Sequence, residues 1–346
     1  MIRLIIDTMG GDNSPGANIE GALNALADNP DLHIIFTGDE EVIKRHVSGQ
    51  GLADASRIDI VHAPDVITGE DKPTDAIRMK KESSMMKGIR LLRENDDADG
   101  LVSTGATGSL VAAATVRIGR IRGLHRPAFC PILPTMDGRI VGVCDSGANV
   151  DCSPEQLVEF SIMGSMYMKA AFGIENPRIA LLNIGTESEK GDALHKEAYK
   201  LIAKVHGDNF VGNMEGRDLL SGRYDLVVCD GFSGNIMVKT TEGTALSLLK
   251  KIKSDIYSSG IYKFGALFLK KMFEEEKEFM NYQNYGGSVL LGTEKIIVKG
   301  HGSSNSTAVR RCVEQAVTMK KNGLNEMIRA GIEEWKEKAD ALSREE

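Results

Sequence analysis

The chain has 346 residues, of which 42% are hydrophobic, enough to bury a large core as one α/β unit or two. A formal net charge of −7 argues against nucleic acid as the main partner, since binding to its backbone depends on Lys and Arg neutralising phosphates. The five cysteines, Cys130, Cys144, Cys152, Cys229 and Cys312, have no C-x-x-C spacing, which speaks against a disulfide framework or a zinc site and for a reducing cytosol. The start "MIRLIID" lacks a charged region followed by a long apolar one, and no stretch approaches the roughly 20 apolar residues of a membrane span. A soluble, unexported protein is expected.

In chain order, "IRLII", "LHIIF", "IDIVH", "GLVS", "RIVGVC", "RIALLNI" and "DLVVC" read as strands. Runs apolar on both faces predict buried parallel strands. Between them, Ile19, Ala22, Leu23 and Leu26 show helical spacing. The fold class predicted is α/β, a doubly wound, mostly parallel sheet in three α/β/α layers, with residues 1–346 treated as one unit. No repeat or Pro/Gly-rich linker interrupts the pattern.

The segments after the strands carry the chemistry. "DTMGGDNSPG", "STGATGS", "DSGANVDCSP", "IGTESEKG" and "DGFSGN" all combine glycine with small polar or acidic residues. In an open parallel sheet ligands bind beyond the carboxyl ends of the strands. There, glycine allows close backbone approach and helix starts offer unpaired N–H groups to an anion. Ser14-Pro15 reads as N-cap and first helical residue, and Ser153-Pro154-Glu155-Gln156 as a capping box. Neither G-x-G-x-x-G nor G-x-x-x-x-G-K-[ST] occurs in these loops, so a dinucleotide or nucleoside triphosphate is not supported.

The stretches "DTMGGDNSPG", "GANVDCSPEQLVEFSIMGSMYMKAAFGIENPRIALLNIG", "GNMEGRDLLSG", "VVCDGFSGN" and "HGSS" resemble the phosphate acyltransferases of bacterial phospholipid synthesis, in order from Ile2 to about Val317. The resemblance implies transfer of a fatty acyl group from acyl carrier protein thioester to inorganic phosphate. It implies a fold similar to phosphotransacetylases and isocitrate-dehydrogenase-like enzymes, a homodimer, and no metal or nucleotide cofactor. A metal- and nicotinamide-dependent dehydrogenase on a similar fold and a non-catalytic membrane-surface scaffold are the rival readings.

Such a reaction needs positioning and oxyanion stabilisation more than a strong base, because phosphate is already partly dianionic near pH 7 and the leaving thiol has a pKa near ~8.5. Catalytic candidates are Lys190, read as lying early in a helix, with Asn183, Asn235 and His301. The phosphate- and substrate-binding set is Asp7, Gly10, Gly11, Asp12, Thr104, Gly105, Thr107, Gly108, Asp145, Asn149, Asp230, Ser233, Gly234 and Lys239. Cys144 and Cys229 lie in apolar strands, which argues against an acyl-cysteine intermediate. The basic stretch "RIGRIRGLHR", with Arg117, Arg120, Arg122 and Arg126, is the expected docking patch for acidic acyl carrier protein. The region at about 245–280 is expected to protrude as an amphipathic helical segment. Within it Ile261, Phe264, Leu267 and Phe268 would contact an anionic membrane near a membrane-bound glycerol-phosphate acyltransferase, or pack in the dimer.

Overall fold

Strand after strand is apolar on both faces, so each must be covered twice. The computed structural model, which describes residues 1–49, 55–279 and 285–345, shows how. The strands are β1 (Ile2–Asp7), β2 (Leu32–Gly38), β3 (Ile58–His62), β4 (Gly100–Ser103), β5 (Ala128–Cys130), β6 (Ile132–Pro134), β7 (Ile140–Cys144), β8 (Ile179–Asn183), β9 (Phe210–Glu215), β10 (Leu226–Val228), β11 (Ser288–Leu291) and β12 (Ile296–Lys299). The helices are α1 (Gly16–Asp28), α2 (Glu40–Gly49), α3 (Pro73–Met79), α4 (Ser84–Glu94), α5 (Thr107–Ala113), α6 (Pro154–Phe172), α7 (Ala193–His206), α8 (Gly231–Ser258), α9 (Gly260–Phe279), α10 (Ser306–Lys321) and α11 (Leu324–Glu345).

The architecture is α/β and mostly parallel, as expected, but the strands divide between two sheets rather than forming one. A seven-stranded sheet has the order β3-β2-β1-β4-β12-β11-β5, and a five-stranded sheet has the order β6-β7-β10-β8-β9. Pro131 separates β5 from β6, so one nearly extended stretch leaves the large sheet and enters the small one. Proline cannot donate to a ladder, which suits a handover between sheets.

Period-two alternation assigns each strand's residues to opposite cores. Leu4, Ile6, Ile34, Phe36 and Val298 join one cluster, together with Leu23 of α1 and Cys312 of α10. Ile5, Ile35, Leu101 and Ile297 point the other way, onto Met85 and Ile89 of α4. In the small sheet Leu181, Leu226 and Val228 meet Phe160 of α6, while Val143, Val227 and Cys229 face Val238 of α8.

Helix starts follow the sequence in one predicted case and depart in another. Ser153 and Gln156 form the reciprocal capping box at the start of α6. Ser14, by contrast, caps nothing: its Oγ donates to the carbonyls of Met9 at 3.1 Å and Gly11 at 2.8 Å, folding the first loop on itself, and α1 begins at Gly16. Lys190 also differs from expectation, lying in the loop ahead of α7, whose N-cap is Asp192. Among the described residues no helix is long and apolar enough to cross a membrane.

Candidate active site

The parallel register lines up the strand ends. Asp7 and Lys299 both stand level with Ser103, across three neighbouring strands. Cys144 and Leu181 likewise stand level with Val228 in the small sheet. The glycine-rich loops therefore leave each sheet at one edge.

Two buried aspartates hold these loops. Asp7 accepts hydrogen bonds from Ser84 Oγ at 2.5 Å and Ser103 Oγ at 2.7 Å. Burial raises its pKa, against the lowering effect of those hydroxyls, the Met9 N–H and Lys299. Asp145 accepts from the backbone N–H groups of Phe129 at 2.8 Å and Asn149 at 2.7 Å, and from Asn149 Nδ2 at 3.0 Å. Burial pushes its pKa up to about 6, opposed by those donors. Both carboxyls are thus engaged within the protein, and what they supply is loop shape. Thr104 adds a tie between loops, its Oγ1 donating to the Gly10 carbonyl at 2.6 Å. A Cβ on Gly10 would stand 2.5 Å from the Gly105 nitrogen, so these two loops meet backbone to backbone.

Between the sheets lies a cleft of about 820 Å³. Its polar side brings together Thr107 and Gly108 from the start of α5, Asn235 and Lys239 from α8, and His301 from the loop after β12. His301 Nδ1 lies 2.8 Å from Ser303 Oγ and accepts from the Ser303 N–H at 3.2 Å. Burial lowers the His301 pKa, with Lys299 and Lys239 adding to the effect and Asp12 opposing it, so the imidazole is neutral at pH 7. The other side is apolar: Val111, Val116, Phe129, Ile132, Leu133 and Val238. One half suits a charged reactant and the other a hydrocarbon chain.

Other predicted residues frame the cleft from behind. Asp230 caps α8 by accepting from the Ser233 N–H at 2.8 Å, and Asn149 donates to the Pro127 carbonyl at 2.8 Å. Gly11 and Asp12 belong to the loop that docks on 302–304, where the Asp12 N–H donates to the Gly302 carbonyl at 2.7 Å. Lys190 and Asn183 are not among the cleft residues. Asn183 Nδ2 donates to the Lys190 carbonyl at 3.1 Å, and the Lys190 ammonium is half exposed, 3.9 Å from Glu187. Arg117, Arg120, Arg122 and Arg126 are all exposed, and Arg126 reaches the cleft wall. Cys144 and Cys229 are fully buried and burial raises both thiol pKa values, so neither is a nucleophile.

Two charged cleft residues escaped the sequence reading. Lys299, at the end of β12, is buried in the wall, and Glu242 of α8 faces the same space with its carboxyl pKa raised by burial. The signal for Lys299 was "IIVKGHG", another apolar run followed by a glycine-rich loop.

The fold is similar to that of the phosphotransacetylases. A phosphotransacetylase from Streptococcus pyogenes superimposes with a TM-score of 0.60 over 92% of this chain and 94% of that one, at 16% identity. A branched-chain phosphotransacylase from Enterococcus faecalis V583 does so at 0.53 over 92% and 100%, at 14% identity. The family model described as "Fatty acid synthesis protein" matches residues 2–327. Curated relatives named phosphate acyltransferase include those of Clostridium acetobutylicum, 45% identical over 96% of this chain and 99% of that protein, and Bacillus subtilis, 41% identical over 97% and 99%. The chain belongs to the phosphate acyltransferase family and is an enzyme of the acyltransferase class.

Proposed function

We propose that the chain, acting as one catalytic unit, transfers a fatty acyl group from acyl carrier protein thioester to inorganic phosphate, giving acyl-phosphate for phospholipid synthesis. The observation that carries this reading is the two-sided cleft, apolar at Val111, Ile132 and Val238 and polar at Asn235, Lys239 and His301. A phosphate oxygen forms a bond to the thioester carbonyl carbon and the C–S bond breaks. Hydrogen phosphate's proton ends on the departing thiol, and the acyl-phosphate leaves as a dianion. Asn235 and His301 stabilise the oxyanion, and the 104–108 backbone steadies the reactants. Lys190 and Asn183, in the loop after β8, are assigned a lesser part.

In the test, protein is mixed with acyl carrier protein thioester, with and without phosphate, and products are read by mass spectrometry. Acyl-phosphate appears only with phosphate, and EDTA leaves the rate unchanged; thioester loss independent of phosphate would refute the reading. The carrier is strongly acidic and docks on Arg117, Arg120, Arg122 and Arg126. Charge reversal at Arg120 and Arg122 raises the KM for carrier and flattens its salt dependence, and unchanged kinetics would move the docking patch elsewhere.

The reading extends to a homodimer that meets an anionic membrane through α9. Ile261, Phe264, Leu267 and Phe268 are 81%, 65%, 69% and 77% exposed, and the Phe264 and Phe268 rings pack edge-on with centroids 5.4 Å apart. Lys263, Lys270 and Lys271 accompany them, each contributing about 1 kcal/mol near an anionic leaflet. Release of a reactive, apolar acyl-phosphate beside a membrane-bound glycerol-phosphate acyltransferase limits its hydrolysis. The protein is expected to sediment with anionic vesicles, less at high salt, and Phe264→Glu with Leu267→Glu abolishes this while sparing soluble turnover. Loss of the dimer in that variant would assign the face to subunit packing instead.

A further inference from the structure

Lys299 is only 8% exposed and sits in the cleft wall. Its Nζ donates to the carbonyls of Thr104, at 3.4 Å, and Gly300. Both acceptors are uncharged, and among the described residues no carboxylate forms an ion pair with it. The surrounding charged and titratable groups do not supply a counterion. Asp7, on β1, is engaged by Ser84, Ser103 and Met9 and acts on Lys299 only at a distance. Asp12 is exposed on the first loop and likewise acts at a distance. Cys312, behind it on α10, has its thiol pushed up to about 12 by burial and stays neutral. His301, on the adjoining loop, and Lys239, on α8, add no negative charge.

A buried ammonium is costly unless it is paired. This one has a third N–H donor beyond the two carbonyls, and it lines the polar half of the cleft, close to where the 104–108 and 300–304 loops meet. We infer that Lys299 is the cation that binds the phosphate dianion, completing with the substrate the charge pair the folded chain leaves open. The inference rests on the acyl-transfer reading above and names the residue that holds its nucleophile. A second oxyanion is available in the same reaction, the one forming on the thioester carbonyl. A role there would alter kcat, whereas phosphate binding alters the KM for phosphate.

Burial brings the Lys299 pKa down to about 8, against the raising effect of Cys312, Asp7 and Asp12. The amine is charged below that pH and loses its charge above it, so kcat/KM for phosphate in the free enzyme falls as pH rises through about 8.

The experiment uses the full chain, with Lys299→Met and Lys299→Arg, and inorganic phosphate as the probe in both steady-state kinetics and calorimetry. Lys299→Met is expected to raise the KM and Kd for phosphate by about 10- to 100-fold, the range of a hydrogen bond to a charged group. The KM for acyl carrier stays within about twofold, as expected for a residue that binds only the other substrate. Lys299→Arg keeps phosphate binding and removes the fall above pH 8. Phosphate affinity unchanged in Lys299→Met overturns the inference, as does a fall above pH 8 retained in Lys299→Arg. If Lys299→Met does not fold, the Lys299→Arg pH profile decides alone. A wild-type protein that binds phosphate but forms no acyl-phosphate refutes the activity without touching the site, so the two failures are distinguishable.

Discussion

Asn235→Ala is expected to lower kcat by about two to three orders of magnitude, the range for removing one preorganised donor to a developing oxyanion. Asn235 lies in the first turns of α8, beside Gly147, where its amide is 3.4 Å from the point a Cβ on that glycine would occupy. It faces the cleft with Thr107, Lys239 and His301. Among the described residues the amide makes none of the hydrogen bonds that hold the loops, so the melting temperature should change little. The effect should appear in kcat rather than in either KM, because the oxyanion exists only in the transition state. Lys190→Ala, in the loop between β8 and α7, should reduce turnover by less. A normal kcat in Asn235→Ala would remove Asn235 from the chemistry.

Gly234→Ala should damage both stability and turnover. A Cβ there would stand 2.0 Å from the Asp145 carbonyl oxygen and 2.7 Å from Cys229 Sγ. Since the first obstacle is backbone, α8 or the 145–149 loop must move. Forcing a methyl group into such a contact costs about 1–3 kcal/mol or more. Displacing Asn235 by about 1 Å would cost on the order of 100-fold in rate. A thermal melt together with kcat reads both effects. Gly243→Ala is the control, since nothing lies within 4 Å of a Cβ at that position and alanine favours the helix by about 1 kcal/mol. A Gly234→Ala protein with wild-type melting and kcat would show that this approach is not needed.

Seven strands were legible because each is an apolar run of useful length, and the loops after five of them read as anion cradles from their glycine and small polar residues. The strands missed, β5, β6, β9, β11 and β12, include three- and four-residue pieces such as "AFC", "ILP", "SVLL" and "IIVK", too short for periodicity to assign. Missing β5 and β6 concealed the handover at Pro131, and with it the division into two sheets. Missing β12 concealed Lys299. Chemical type did not predict use for the aspartates. Asp7 and Asp145 close strands in ligand-facing loops, yet burial and Ser, amide and backbone donors turn both inward. The sequence reads Lys190 as lying early in a helix, where a lysine is electrostatically disfavoured; Gly191, with a φ of 87°, breaks that segment, and α7 starts only at Ala193.

Phosphate is expected to be held in the cleft between the two sheets, between the loops after β4 and β12 and the start of α8. A crystal structure of the full chain with inorganic phosphate and a non-hydrolysable acyl thioester analogue tests this most directly. Phosphate is expected within hydrogen-bond distance of Lys299 Nζ, with the acyl chain running along Val111, Ile132 and Val238. Phosphate seated on the 184–191 loop beside Lys190, with the cleft free of it, would contradict that placement.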